Sequence, residues 1–434
     1  MTGIINRIKK GLKALLICVV IPIMLSACWE DLEEISVKIG GGGGDSFVIS
    51  GTGGIAGNNQ SFTKGTLVFN MKYVPGGTFP TGTTDLGGNQ TINTAYWMAE
   101  TEVTYELWYT VRTWAIANGY TLDANPGREG NDGTITAGPG SVPTAAKQEP
   151  VTTINWREAM VWCNALTEYY NANNGADPDL DLVYYTDSGY TTPIRAATDS
   201  TTITWDSGST YSGTEDEPYV KTTAKGFRLP GGMEWECAAR YRGINTTNVV
   251  TGTVIGVDFS AMIYKWTKGN SASGAATYYN DVTGDPNFAG KLTNDSVAVY
   301  YSYWNGSGWA STGVSSTAAV KSKTTGYNAL GLYDMSGNVW SCVLTGTLEV
   351  KGLTAWRGAG AGFAMRVNRK WVSWASATRI SRSTTSVSAL RGLSNFLNVV
   401  NRFIPACHSL QWRAGVSRGC CFQYALSLNS IAIR

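Results

Sequence analysis

A chain can build one core only over a stretch whose composition is coherent, and this chain loses coherence after Trp340. Of its 434 residues, the last 94 hold one acidic residue, Glu349, and twelve basic ones. The whole chain has 32 acidic and 34 basic residues, so positions 1–340 keep 31 and 22: a net charge of −9 faces +11 in the tail. Four of the eight cysteines and the sole histidine, His408, also lie in the tail. The fold is therefore expected upstream of the break, over residues 66–340, with 341–434 as an anomalous basic tail. In the chain as a whole Gly, Thr, Ser, Tyr and Trp are plentiful and only 15% of residues are charged. That composition suits a loop-rich extracellular domain with aromatic packing. A net charge of only +2 argues against a basic nucleic-acid binder.

The N-terminus sets the expected compartment. Arg7, Lys9, Lys10 and Lys13 precede an apolar run from Ala14 to Leu25, the pattern of a signal peptide over residues 1–27. The run contains Pro22 and is shorter than the ~20 residues a membrane-spanning helix needs. It ends in Leu25-Ser26-Ala27-Cys28, which resembles the lipobox of bacterial lipoproteins, so Cys28 is expected to be acylated and to attach the protein to a membrane. The expected location is the cell envelope, at the outer membrane or cell surface. Residues 28–65 read as a tether, acidic at Glu30, Asp31, Glu33 and Glu34, then Gly-rich from Gly40 to Gly44.

Periodicity starts at Thr66, where alternation through Leu67, Phe69 and Met71 predicts a strand ending at the turn Pro75-Gly76-Gly77. Val103, Leu107, Trp108, Val111, Trp114 and Ala115 mark a helix capped by Thr104 and stopped by Asn118-Gly119. Trp156, Ala159, Met160, Cys163, Leu166 and Tyr170 mark a second. A third, shorter helix should run from about Gly232 to Arg242 behind Pro230, with Cys237, Ala238 and Tyr241 facing inward and Gly231 as a weak N-cap. Between these helices the chain reads as hairpins and loops, with strand-like pieces at Leu182 to Tyr185 and Thr201 to Trp205. Tyr278, Tyr301, Trp304 and Trp309 are scattered beyond them.

Five stretches, in order, resemble the formylglycine-generating enzyme, or sulfatase-modifying factor, family: Tyr73-Val74-Pro75-Gly76-Gly77-Thr78-Phe79; Tyr96 to Thr104; Pro150 to Ala159; Gly226-Phe227-Arg228-Leu229-Pro230 with Glu234 to Arg240; and Gly331 to Trp340. The resemblance spans roughly Val68 to Trp340. It implies an α+β fold related to C-type lectins, loop-rich with few short helices and strands. It also implies an activity, conversion of a cysteine in an exported sulfatase to formylglycine, in which two neighbouring cysteines behind an Arg-Gly-Gly-Ser stretch bind copper. Thiolates are suitable Cu(I) ligands, but neither the stretch nor the cysteine spacing occurs here: Cys420 and Cys421 are adjacent and Cys407 stands alone. No catalytic residue is identifiable, so copper is expected only if the family chemistry is retained. A sister chemistry at an iron held by three histidines is excluded by the single His408.

The resemblance further implies a calcium site. Asp334, Gly337 and Val339 match its ligand positions, while Ser341 stands where the family has a closing glutamate. Arg228 and Glu234 are expected to pair with each other or with buried backbone, as are Glu102 and Arg240 with partners of their own. Cys163 is expected in the core or in a disulfide.

A cause for the break can be read from the genetic code. Ser341-Cys342-Val343-Leu344-Thr345-Gly346-Thr347 can be written AGT TGT GTT TTG ACT GGT ACN. One G restored in front gives Glu-Leu-Cys-Phe-Asp-Trp-Tyr, close to the family's continuation. The same offset turns Arg357 to Phe363 into a run containing Arg-Gly-Gly-Ser-Trp-Phe, and Trp374-Ala375-Ser376-Ala377 into Gly-Phe-Arg. The tail then reads as a frameshift product; the alternative is a genuine basic extension that binds an acidic surface. Three functional readings follow: a tethered formylglycine generator; a non-catalytic lectin-like surface protein with a glycan or protein ligand, of the kind diversified by retroelements; or a degraded paralogue.

Overall fold

The computed structural model describes residues 46–344 except 52, 82–87, 123–124, 131–136, 198–211, 216, 269–270, 278–292 and 305–308, together with the backbone of 355–356, 426–427 and 432–433. All of these belong to one compact unit, and the other unit, 347–351 with 364–424, lies outside the described residues. So do Cys28, the signal peptide, the Thr201 to Trp205 piece, Tyr278, Cys407, His408, Cys420 and Cys421.

The main sheet is built on β3, which buries Leu67, Met71 and Val74, and on neighbouring strands joined to it through tight turns. Strands β1 (Val48–Gly51), β2 (Asn59–Lys64) and β3 (Leu67–Val74) are antiparallel neighbours. The β2–β3 hairpin turns through Gly65, at φ 60°, and sets Phe62 opposite Phe69 with rings stacked 4.8 Å apart. After the small hairpin of β4 (Gly77–Pro80) and β5 (Asn89–Ile92), strand β6 (Tyr96–Ala99) joins the far side of β3. The tether expected through residue 65 is therefore shorter: residues 48–51 and 59–64 are strands. The reason is that Phe47 and Phe62 bury against Tyr170 in the core, and the intervening glycines serve as turns.

Helix α1 (Tyr105–Ala117) follows, with Thr104 Oγ1 accepting from the N–H of Leu107 and Gly119 at φ 85° beyond its end. The two-residue strands β7 (Arg128–Glu129) and β8 (Val151–Thr152) pair before helix α2 (Trp156–Asn171). Asn155 caps α2 in a reciprocal capping box: its side chain accepts from the N–H of Glu158, whose carboxylate accepts from the N–H of Asn155. The helices meet at Trp108 and Trp162, stacked 5.3 Å apart, with the Trp162 indole donating to the Trp108 carbonyl.

Behind α2, β9 (Tyr184–Tyr185) pairs with β10 (Tyr219–Val220), and Asn164, a fully buried amide, holds β9 by donating to the carbonyls of Tyr184 and Ile194 and accepting from the N–H groups of Val183 and Tyr184. Helix α3 (Gly232–Arg240) ends two residues before the expected Arg242, and Tyr241, already extended, is buried. The Arg228 guanidinium binds Glu234 through two bonds of 2.6 and 2.8 Å, and Arg240 binds Glu236 at 2.7 Å. Hairpins β11 (Thr253–Val254) with β12 (Val257–Asp258), and β13 (Ser302–Trp304) with β14 (Trp309–Ser311), complete the loop-rich half.

Packing does not stop at Trp340. Strand β15 (Trp340–Cys342) pairs with β16 (Ala355–Trp356) and β17 (Leu426–Ser427), and β18 (Ala432–Ile433) adds a fifth strand to the main sheet beside β6. Ser341, Cys342 and Val343 are buried, and Leu344 exchanges backbone hydrogen bonds with Pro230 and Gly232. The compositional break thus falls inside a packed strand, because residues 342–344 remain apolar enough to bury. Cys163, Cys237 and Cys342 are free thiols, and no helix among the described residues is long and apolar enough to cross a membrane.

Candidate functional site

The loop from Gly331 to Trp340 concentrates left-handed backbone conformations. Asp334 and Asn338 take φ of 53° and 58°, with Gly331 at 76° and Gly337 at 96°; Lys321, packed against them, sits at 62°. Asp and Asn tolerate the left-handed region better than most residues, whereas lysine gains nothing there. At Gly337 a Cβ would lie 2.1 Å from the Val299 carbonyl oxygen, so glycine is required. That approach lets the Asn338 N–H donate to the same carbonyl at 2.7 Å.

This strain holds a group of acids at the core's edge. Glu100, at the end of β6, accepts from Asn70 and pairs with Lys72 and Lys321. Burial works against its charge, but Lys321, Asn70 and Lys72 outweigh that and hold its carboxyl below the usual range. The Lys321 ammonium also lies 5.4 Å from the centre of the Tyr333 ring.

Two residues on, Glu102 is 2% exposed and meets amides only: Asn338 Nδ2 at 2.7 Å and the N–H of Val339 at 3.3 Å. Burial, then the nearby Asp334 carboxylate, pushes its carboxyl well above the usual range. Asp334 is 3% exposed; its Oδ2 accepts from the Lys321 N–H at 2.9 Å, while Oδ1 is buried without a hydrogen-bond partner. Burial raises its pKa to about 6.

Asp334, Gly337 and Val339, the three calcium positions expected from sequence, therefore share one strained loop. An orphaned, buried carboxylate oxygen is what a hard cation seeks. The remaining ligands are sparse: Ser341 is buried with a hydroxyl in place of a carboxylate, and both oxygens of Glu102 are engaged by amides. Among the described residues no group of three or more His, Cys, Asp or Glu could hold a metal ion. Sequence reasoning missed how the cluster is neutralised, since it expected a partner for Glu102 without naming Asn338 and gave no role to Lys321. Asn338 follows Gly337 in the motif and was the available signal.

The three described thiols are not poised for chemistry. Burial pushes Cys237 and Cys342 up to about 12, and burial together with the nearby Cys342 thiol pushes Cys163 well above the ordinary value.

Comparison with known proteins places this architecture. A family profile described as "Sulfatase-modifying factor enzyme 1-like domain" matches residues 59–392. Among solved structures, CarF is 23% identical over 62% of this chain and 78% of its own, with a TM-score of 0.39. Treponema denticola variable protein 1 is 24% identical over 65% and 75%, with a TM-score of 0.38. PvdO from Pseudomonas aeruginosa is 16% identical over 67% and 78%, with a TM-score of 0.31. No curated protein matches the chain.

Proposed function

The chain belongs to the sulfatase-modifying factor family, and from that premise we propose that it is a lipid-anchored cell-envelope protein that uses the family's scaffold to bind a surface ligand, glycan or protein, without oxidising a sulfatase cysteine. The observation that carries this reading is the state of the thiols. Copper chemistry needs two thiolates close together and open to a substrate, whereas Cys163, Cys237 and Cys342 are buried and held protonated. Cys407, Cys420 and Cys421 do not follow an Arg-Gly-Gly-Ser stretch.

In this reading Cys28 supplies the membrane attachment. Asp334, with the carbonyls of Gly337 and Val339, would hold calcium as the only carboxylate of a weak site, where the cation would neutralise the orphaned oxygen and stiffen the loop. The decisive experiment incubates the protein and Cu(I) with a peptide carrying a sulfatase's target cysteine, followed by mass spectrometry. No conversion is expected, and turnover to formylglycine overturns the proposal. Binding to an array of glycans and envelope proteins then identifies the ligand, and loss of palmitate labelling in Cys28→Ser tests the anchor.

A further inference from the structure

Three arginines are buried among the described residues, and two of them hold a carboxylate: Arg228 binds Glu234, and Arg240 binds Glu236. The third, Arg242, is 5% exposed and faces no carboxylate among them. Its Nη1 donates to the Ala275 carbonyl at 2.8 Å, while Nε is buried with no hydrogen-bond partner. Burial, with no opposing charge, lowers its pKa. An uncompensated buried cation costs the fold stability, so a group that neutralises it is favoured. The last carbonyls of α3 do not take that role, because Ala238, Ala239 and Arg240 accept from Asn328, Ser273 and Thr267.

The surroundings fix this guanidinium and add a second unused group. The Ala275 carbonyl also accepts from Asn248 Nδ2 at 3.1 Å, so the two residues that flank the loop 243–247 close on one atom; 244–247 are exposed. Tyr241 bridges Trp266 with rings 5.6 Å apart, and the N–H groups of Arg242 and Thr267 donate to the carbonyls of Lys265 and Arg240. Side chains alternate across such a ladder, so Arg242 and Thr267, each one residue beyond the bridged pair, share its opposite side. A diagonal pair of this kind is within reach of a long side chain. Thr267 is 2% exposed, and its Oγ1 is likewise buried without a hydrogen-bond partner.

We propose that Arg242 and Thr267 form an oxyanion site, in which Arg242 Nε donates a charge-assisted hydrogen bond to a carboxylate or sulfate oxygen and the Thr267 hydroxyl donates a second. With Nη1 held on a carbonyl, the Nε side of the guanidinium remains for the ligand, and N–H groups in this fork match the oxygens of such an anion. A bridging water would satisfy the same two atoms but leave the buried charge uncompensated, which favours the anion. The anionic group belongs either to a free ion or to an acidic glycan. Its binding is independent of the anchor at Cys28 and of calcium at Asp334.

The test is equilibrium dialysis of the chain from Trp29 onward against radiolabelled sulfate at fixed chloride concentration. Saturable, stoichiometric binding is expected, weakened at least about tenfold by Arg242→Gln and roughly threefold by Thr267→Val. Displacement of the label by an oligogalacturonate at lower concentration than by acetate assigns the anionic group to a glycan, and displacement at equal concentrations assigns it to a free ion. A native chain that binds no sulfate saturably overturns the proposal and leaves water at Arg242. Binding unchanged in both variants places the ion elsewhere and overturns it as well. Should Arg242→Gln lose the native near-ultraviolet circular dichroism, Thr267→Val decides alone, and an affinity equal to that of the native chain then overturns the site.

Discussion

Asp334 concentrates the energetic conflict of the site. Its carboxyl titrates near 6 in the fold against an ordinary value of 3.8, so the folded state holds the proton more tightly than the unfolded chain. Stability is thus greatest with the proton bound, below the unfolded value, and falls as pH rises from about 3.8 through about 6; Glu102 shifts in the same direction. Asp334→Asn keeps an acceptor for the Lys321 N–H and removes the buried charge. It should flatten this slope and raise stability at pH 7 by roughly 1–3 kcal/mol, read by urea melts across pH in the absence of calcium. Calcium acts in the opposite sense: if Asp334 holds it, added calcium raises the native chain's Tm at pH 7 and leaves Asp334→Asn unmoved. A Tm indifferent to calcium in both removes the metal from the loop.

Elements were legible where the sequence repeats a period and supplies its own stop. Helix α1 begins at its Thr104 cap and ends before Gly119; α2 carries the expected apolar face. What the period alone did not reveal is the capping box at Asn155 and Glu158, whose loss is measurable. Asn155→Ala leaves the N–H of Glu158 without its acceptor and should cost about 1 kcal/mol, with an unchanged m-value in urea unfolding. Strands β1 and β2 were hidden among glycines that look like linker. Yet at Gly51 a Cβ would lie 1.9 Å from the Asn59 carbonyl oxygen, so glycine is what lets that strand close. Strands of two residues, such as β7, β8 and β10, have no period to read, whereas β9 lies within the strand-like piece Leu182 to Tyr185. The Gly331 to Trp340 loop was legible as a motif, whereas Lys321 enters it from a distant turn at a backbone angle that no propensity favours.

For the molecule as a whole, the question is whether the core is closed by the residues this chain carries after Trp340. The two reading frames place Ser-Cys-Val-Leu or Glu-Leu-Cys-Phe at positions 341–344, and both offer apolar side chains at 342, 343 and 344. The backbone path is equally served by either, since Leu344 bonds to Pro230 and Gly232 through main-chain atoms and Trp156 donates to the carbonyl of Val343 at 3.0 Å. The frames differ sharply at 341, where a buried serine hydroxyl gives way to a carboxylate on the strand that continues the Asp334 loop. A third carboxylate there would repel Asp334 and Glu102, and would add a ligand if the loop holds calcium. The form with one base restored after Trp340 should therefore show a calcium-dependent rise in Tm larger than that of the chain as it stands, and a single cooperative transition in saturating calcium. Ser341→Glu in the present frame separates the two contributions: it should gain the calcium response without the restored C-terminal strands. If the restored form melts no more cooperatively than the present one and neither responds to calcium, the basic tail is a working part of this structure and the frameshift reading fails.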